Sequence, residues 1–365
     1  MRIIKAIFHG LSVAGLTLIA TLTILVLTLT FNLTNREVVK SWPVESGLYG
    51  QVPNLALSLI EQENGQSFDE AIDKGLLDAT ELKTVLGQVF PAQYWQSKVN
   101  GVLDPTYDWL EGKSPALAFK LSLADKSDEL IEALGDEIRT QLADAPVCTS
   151  NQTNRDFDVL TAKCLPRGVS PKLAAASFTD QLTKGGDSPL KEAEFDSDEL
   201  KLPSGLREQG PEDYARVKAL SWILPALMVL FVLLVGISGK SLLHGFRRSG
   251  QTLFSVGIFS WLGFYLSQRF LIPIRIPTED ARQEAVFDQA INPFVNTVVD
   301  TIATTGLWVS LTVVIAGILI WLATFIWHKI HHEPEAHIIS ETSSKADPTL
   351  PKPVAPTNSK SNSKN

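Results

Sequence analysis

At 365 residues the chain has room for two or three folding units, and its formal net charge at pH 7 is −8. The charge is segregated: residues 32–216 hold 18 Lys+Arg and 31 Asp+Glu, and the rest of the chain holds 14 and 9. An acidic middle with basic flanks excludes a nucleic-acid binder, which needs a basic stripe.

Residues 11–31, LSVAGLTLIATLTILVLTLTF, contain no charged side chain and are long enough to cross the ~30 Å hydrocarbon core as a helix. Arg2 and Lys5 precede them in the short segment 1–10. The run is longer than the apolar part of a secretory signal, and no small-x-small cleavage site follows it. It therefore reads as an uncleaved first span.

Residues 32–216 read as a mostly helical domain outside the membrane. Leu55, Leu57, Leu59 and Ile60 fall at helical intervals, and Ser67 to Glu70 has the form of a capped helix start. Leu82, Val85, Leu86 and Val89 repeat the pattern, with Pro91 placed for a first helical turn. The next helix carries Tyr94, Trp95, Val99, Val102 and Leu103 toward Pro105. Residues 116–123 alternate apolar and polar, which predicts a short strand. Residues 127–142 form the clearest amphipathic helix, with Leu130, Ile131, Leu134, Ile138 and Leu142 on one face.

The helical rhythm stops at Ala145. Cys148 and Cys164, the two cysteines of the chain, lie in a polar stretch and predict one structural disulfide in an oxidising compartment. Residues 184–210 are rich in Gly, Ser, Asp and Pro and predict an irregular loop. Pro211-Glu212-Asp213 then starts a helix that continues into the membrane.

Three further apolar blocks follow, at 219–239, 252–272 and 302–327. Pro225 predicts a kink in the second span. The segment 240–251 carries Lys240, Arg247 and Arg248 and no acid. The segment 273–301 is acidic on balance and amphipathic, with Val286, Ile291, Phe294 and Val298 on its apolar side. Residues 328–365 lack the apolar groups to fold and predict a disordered tail. Short basic segments stay in the cytoplasm. Both termini and 240–251 are therefore expected inside, with 32–216 and 273–301 outside. The localisation expected is a multi-pass protein of the cell membrane.

Several chemical readings fail on spacing. His328, His331 and His332 share a helix face, but His332-Glu333 to His337 is one residue too long for H-E-x-x-H, and Pro334 interrupts it. The acidic run 192–199 lacks the glycine and distal glutamate of a calcium loop and reads as a solvated loop. Asn32-Leu33-Thr34 and Asn151-Gln152-Thr153 match a glycosylation sequon, the first of them too near the bilayer to act as an acceptor. The spans hold no Asp, Glu, Lys or His at their centres, which weighs against an ion path. Ser260, Gly263 and Ser267 are expected to form a packing face in the third span, and Thr312 and Ala316 in the fourth.

The sequence thus predicts a mainly α protein: a four-transmembrane-helix bundle with a large, mostly helical extracytoplasmic domain between spans 1 and 2. The domain is expected to mediate interaction or sensing at the cell envelope through an unidentified protein or envelope partner. No catalytic site, cofactor or metal is expected. Val286, Ile291, Phe294 and Val298 are expected to form the contact between domain and bundle. A transporter or channel subunit, and a membrane-anchored enzyme using external carboxylates, are the alternatives.

Overall fold

Four long helices pack together as a bundle around one apolar core. The structure is a computed structural model that describes residues 2–64, 79–148, 164–184, 194–197, 204–239, 241–271 and 287–332. Among them the chain is mainly α, with ten helices and one two-stranded sheet. The bundle consists of α1 (Arg2–Leu33), α8 (Ser204–Ser238), α9 (Leu242–Leu266) and α10 (Asn292–His332). Its core joins Leu16, Ala20 and Ile24 of α1 to Val235 of α8, Leu253 and Val256 of α9, and Val309 and Val313 of α10.

Among the described residues three stretches are long and apolar enough to cross a membrane: Ile7–Leu33, Gln209–Ser238 and Asp288–Ile330. The expected third span falls in α9, which is long enough at 25 residues but is not among the three. Gln251, Ser255, Gly257, Ser260 and Gly263 dilute its apolar residues. The helix also starts at Leu242, inside the segment expected to be a loop. Ser241 caps it, its side chain accepting from the His244 amide at 3.2 Å.

Two of the small residues that dilute α9 are where it packs most closely. A Cβ on Gly250 would lie 2.8 Å from the Gly317 carbonyl oxygen, and one on Gly257 would lie 2.7 Å from Val314 Cγ2. At the turn from α8, a Cβ on Gly245 would lie 2.3 Å from the Gly236 carbonyl oxygen. This is the close backbone approach that small residues permit between membrane helices. It uses a different face from the one expected. Gly263 has nothing within 4 Å of its Cβ position, and Ser260 lines an open groove.

Above the bundle lie α2 (Arg36–Glu45), α3 (Leu48–Asn64), α4 (Ala79–Val89), α5 (Ala92–Leu110), α6 (Ser127–Asp144) and α7 (Pro171–Lys184). Asn35 caps α2, accepting from the Glu37 amide at 3.1 Å. The Val85, Val89, Phe90 and Leu130 cluster joins α4 to α6, and Ile138, Leu142, Ala174 and Ala175 join α6 to α7. Strands β1 (Lys120–Ser122) and β2 (Glu194–Asp196) pair antiparallel, with Leu121 opposite Phe195. Part of the expected acidic loop is therefore a strand. It pairs because its apolar Phe195 sits 6.3 Å, ring to ring, from Phe119.

Two prolines do not mark the helix boundaries that the sequence suggested. α5 continues through Pro105 to Leu110, and α8 begins at Ser204, so that Pro211 lies inside it. The helix start expected at 67–70, the tail 333–365, and residues 272–286 lie outside the described residues.

Cys148 and Cys164 are disulfide-bonded, with Cα atoms 4.9 Å apart. The Cys148 amide donates to the Leu165 carbonyl at 2.9 Å, and the Leu165 amide to the Pro146 carbonyl at 2.9 Å. The bond thus ties the end of α6 to the approach of α7, where Leu165 and Val169 pack on the shared core.

Two outcomes follow. Cys148→Ser should lower domain stability by about 3 kcal/mol, the loop-closure value for this chain length, read by denaturant unfolding of the α6–α7 region. Gly257→Leu should destabilise the bundle by about 1–3 kcal/mol through overpacking, whereas Gly263→Leu should leave it unchanged in the same unfolding assay.

Candidate functional site at the joint between bundle and helical layer

The chain passes from α1 to α2 across two residues, Thr34 and Asn35. A helix end leaves carbonyls without partners, and these must be satisfied locally. Here two tyrosines from elsewhere in the chain do so. The Tyr107 hydroxyl of α5 donates to the Leu33 carbonyl at 2.7 Å, and the Tyr214 hydroxyl of α8 donates to the Thr34 carbonyl at 3.3 Å. The two rings meet edge to face with centroids 6.5 Å apart. Burial pushes the Tyr107 hydroxyl up to about 12, with Tyr214 adding to the shift, so it stays a donor at all physiological pH values.

Arg36, at the start of α2, reaches the same place. Its guanidinium donates to Asp108 Oδ1 at 2.6 Å and to Asp104 Oδ1 at 3.3 Å, and lies 3.8 Å from Glu111 Oε2. It also sits 5.7 Å from the centre of the Tyr107 ring. Asp104, Asp108 and Glu111 recur at four and three residues along α5 and so share one face. Lys40 meets Asp104 at 2.6 Å, and Lys113 meets Glu111 at 2.5 Å. The Arg36 hydrogen bond holds Asp108 below the usual carboxylate range, and the Lys113 hydrogen bond does the same for Glu111. The Asp108 bond in turn raises Arg36.

Apolar contact closes the joint. Trp109 is 5% exposed and covers Gly210 of α8, where a Cβ would lie 2.4 Å from Trp109 Cη2. On the bundle side Asn32 is 2% exposed. Its amide donates to the Thr28 carbonyl at 2.7 Å, and its Oδ1 accepts from Thr305 of α10 at 3.3 Å. The sequon at Asn32 is therefore closed to modification by burial.

Of the contact residues expected from sequence, Val286 lies outside the described residues. Ile291, Phe294 and Val298 are half-buried. The π-helical turn Phe287–Ile291 lies against α3, and α10 lies against α2. Sequence reasoning missed Arg36, Tyr107 and Tyr214. A signal was present: a lone cation five residues past a span, and three carboxylates on one face of a helix. Among the described residues no group of three or more His, Cys, Asp or Glu is placed to hold a metal ion. The joint brings α1, α2, α5 and α8 together.

No protein-family model, curated protein or solved structure matches the chain.

The joint carries a pH signature. Carboxylates depressed in the folded state stabilise it fully above their unfolded pKa of about 4, and that contribution is lost as pH falls through the lower folded values. Wild type should therefore lose stability as pH drops below about 4, and Arg36→Met should flatten that acid limb, in unfolding curves taken at stepped pH. Tyr107→Phe should cost about 1 kcal/mol, the usual net worth of one hydrogen bond.

Proposed function

We propose that the chain is a four-span membrane protein whose extracytoplasmic helical domain binds a partner or ligand and is held as one rigid unit on the bundle. The observation that carries this reading is the joint. The Tyr107 and Tyr214 hydroxyls cap the end of α1, Trp109 covers Gly210 of α8, and the Arg36 network ties α2, which follows α1 across two residues, to the end of α5. α8 then continues from the joint into the bundle as a single helix. A flexible tether would need neither feature.

In this reading α9 is the third span. Its outer face presents Phe254, Ile258, Phe259 and Leu262 to the surroundings, Phe259 at 73% exposure, as a lipid-facing helix would. The short basic turn between α8 and α9 is cytoplasmic by the charge rule, as are both termini. In the bundle Ser238 Oγ lies 2.9 Å from His9 Nδ1 and also donates to the Val235 carbonyl at 3.2 Å; interaction or sensing is the reading carried by the joint rather than by this pair. Ile291, Phe294 and Val298 complete the contact beneath α2 and α3.

Topology is tested with Arg247→Cys and Asp288→Cys, each added while Cys148 and Cys164 remain bonded. An impermeant thiol reagent on intact cells should label position 288 and spare position 247. Labelling of 247 would overturn the orientation. The functional reading is tested by reconstitution: the purified protein in liposomes should pass ions and solutes no faster than empty vesicles. Conduction by the protein alone would replace it with the channel reading. Phe294→Asp should expose the domain and second loop to limited proteolysis, because an unpaired charge buried at the contact is costly.

A further inference from the structure

A groove of about 640 Å³ runs along the outer surface of the bundle between α1 and α9. Arg248 stands at one end and Ser260 at the other. That is about 18 Å along the helix at 1.5 Å per residue, close to the depth of one leaflet of a ~30 Å hydrocarbon core.

The lining looks mixed in sequence but is largely apolar in effect, Gln251, Ser255 and Ser260 aside. Val13, Val256 and Phe259 supply hydrocarbon. Thr17, Thr21 and Thr252 each turn the hydroxyl back to their own helix. They donate to the Val13, Thr17 and Arg248 carbonyls at 3.0, 2.9 and 3.0 Å. Those three hydroxyls are satisfied within their helices, so the threonines can turn methyl groups toward an occupant.

Among the described residues the charged end has no counter-ion. Arg248 pairs with no carboxylate among the described residues, and residues 1–36, 217–278 and 301–332 contain no Asp or Glu at all. Arg247 adds positive charge beside it. A cation at the mouth of an apolar slot one leaflet deep matches an amphiphile with an anionic head and a hydrocarbon tail.

We infer that this groove is a binding site for one anionic phospholipid of the leaflet on the Arg248 side, its phosphate against Arg248 and an acyl chain along Val13, Val256 and Phe259. Gln251, which also lines the mouth, is placed to donate a further hydrogen bond to the head group. The inference rests on the reading that α9 crosses the bilayer. It does not depend on which side is cytoplasmic.

The test uses the full chain reconstituted in phosphatidylcholine bilayers with a minor fraction of phosphatidylglycerol. Spin-labelled versions of the two lipids report which is immobilised by the protein. Wild type should prefer phosphatidylglycerol. Arg248→Gln should lower that preference about fivefold, the factor one basic residue contributes at an anionic surface. Ser255→Trp should also lower it, by filling the groove without changing charge, whereas Arg247→Gln should change it less than Arg248→Gln. Equal losses in Arg247→Gln and Arg248→Gln would mean diffuse surface charge and would overturn the site. So would an unchanged preference in Arg248→Gln or in Ser255→Trp. A nitroxide on Ser255→Cys separates failure of the span from failure of the site. Collision with oxygen rather than with a water-soluble nickel complex places α9 in the bilayer whatever the lipid result. Collision with nickel would remove the four-span reading itself.

Discussion

Everything in this molecule depends on how the end of the first span is satisfied. Backbone carbonyls at a helix terminus need partners, and at a membrane edge water is a poor competitor for a well-placed donor. Tyr107 and Tyr214 provide those donors from two other helices. A cap drawn from within the same segment would have left α1 free to swivel under the domain. Caps drawn from α5 and α8 make the position of α1 a property of the whole layer. Arg36 reinforces the arrangement because it sits two residues beyond the capped turn and carries three carboxylates of α5 with it.

The bundle solves a different problem. In the proposed four-span reading its helices are surrounded by hydrocarbon, where burial of apolar surface gives little advantage and close packing has to do most of the holding. Gly245, Gly250, Gly257 and Gly317 let backbones approach until a single added methyl would collide. The same composition lowers the hydropathy of α9. Thus the helix that packs most intimately is also the one that looks least like a span.

Much of the architecture was legible in sequence, for reasons that differ by element. The charge-free runs at α1, α8 and α10 announce themselves because length and apolarity are strong signals. The helix α6 was legible through Leu130, Ile138 and Leu142, whose spacing leaves one buried face. The cysteine pair was legible because the chain has no others. The helix α7 was not, since its Ala-rich core face packs small side chains and gives little periodic contrast. Nor was the extension of α8 back to Ser204, because Pro211 imitates a helix start. The joint could not be assembled from sequence even though its charged residues were in view: its long-range partners are separated by 64 to 273 residues, and only the fold brings them together.

The most direct test of the account measures the rigidity of that joint. Nitroxides placed at Gln96→Cys on α5 and Leu319→Cys on α10, both exposed positions, report the distance between domain and bundle by pulsed dipolar spectroscopy. A single narrow distribution is expected in wild type, broadening when Arg36→Met and Tyr107→Phe are combined. A broad distribution in wild type, or one that the double substitution leaves unchanged, would contradict the claim that the domain and the spans move as one body.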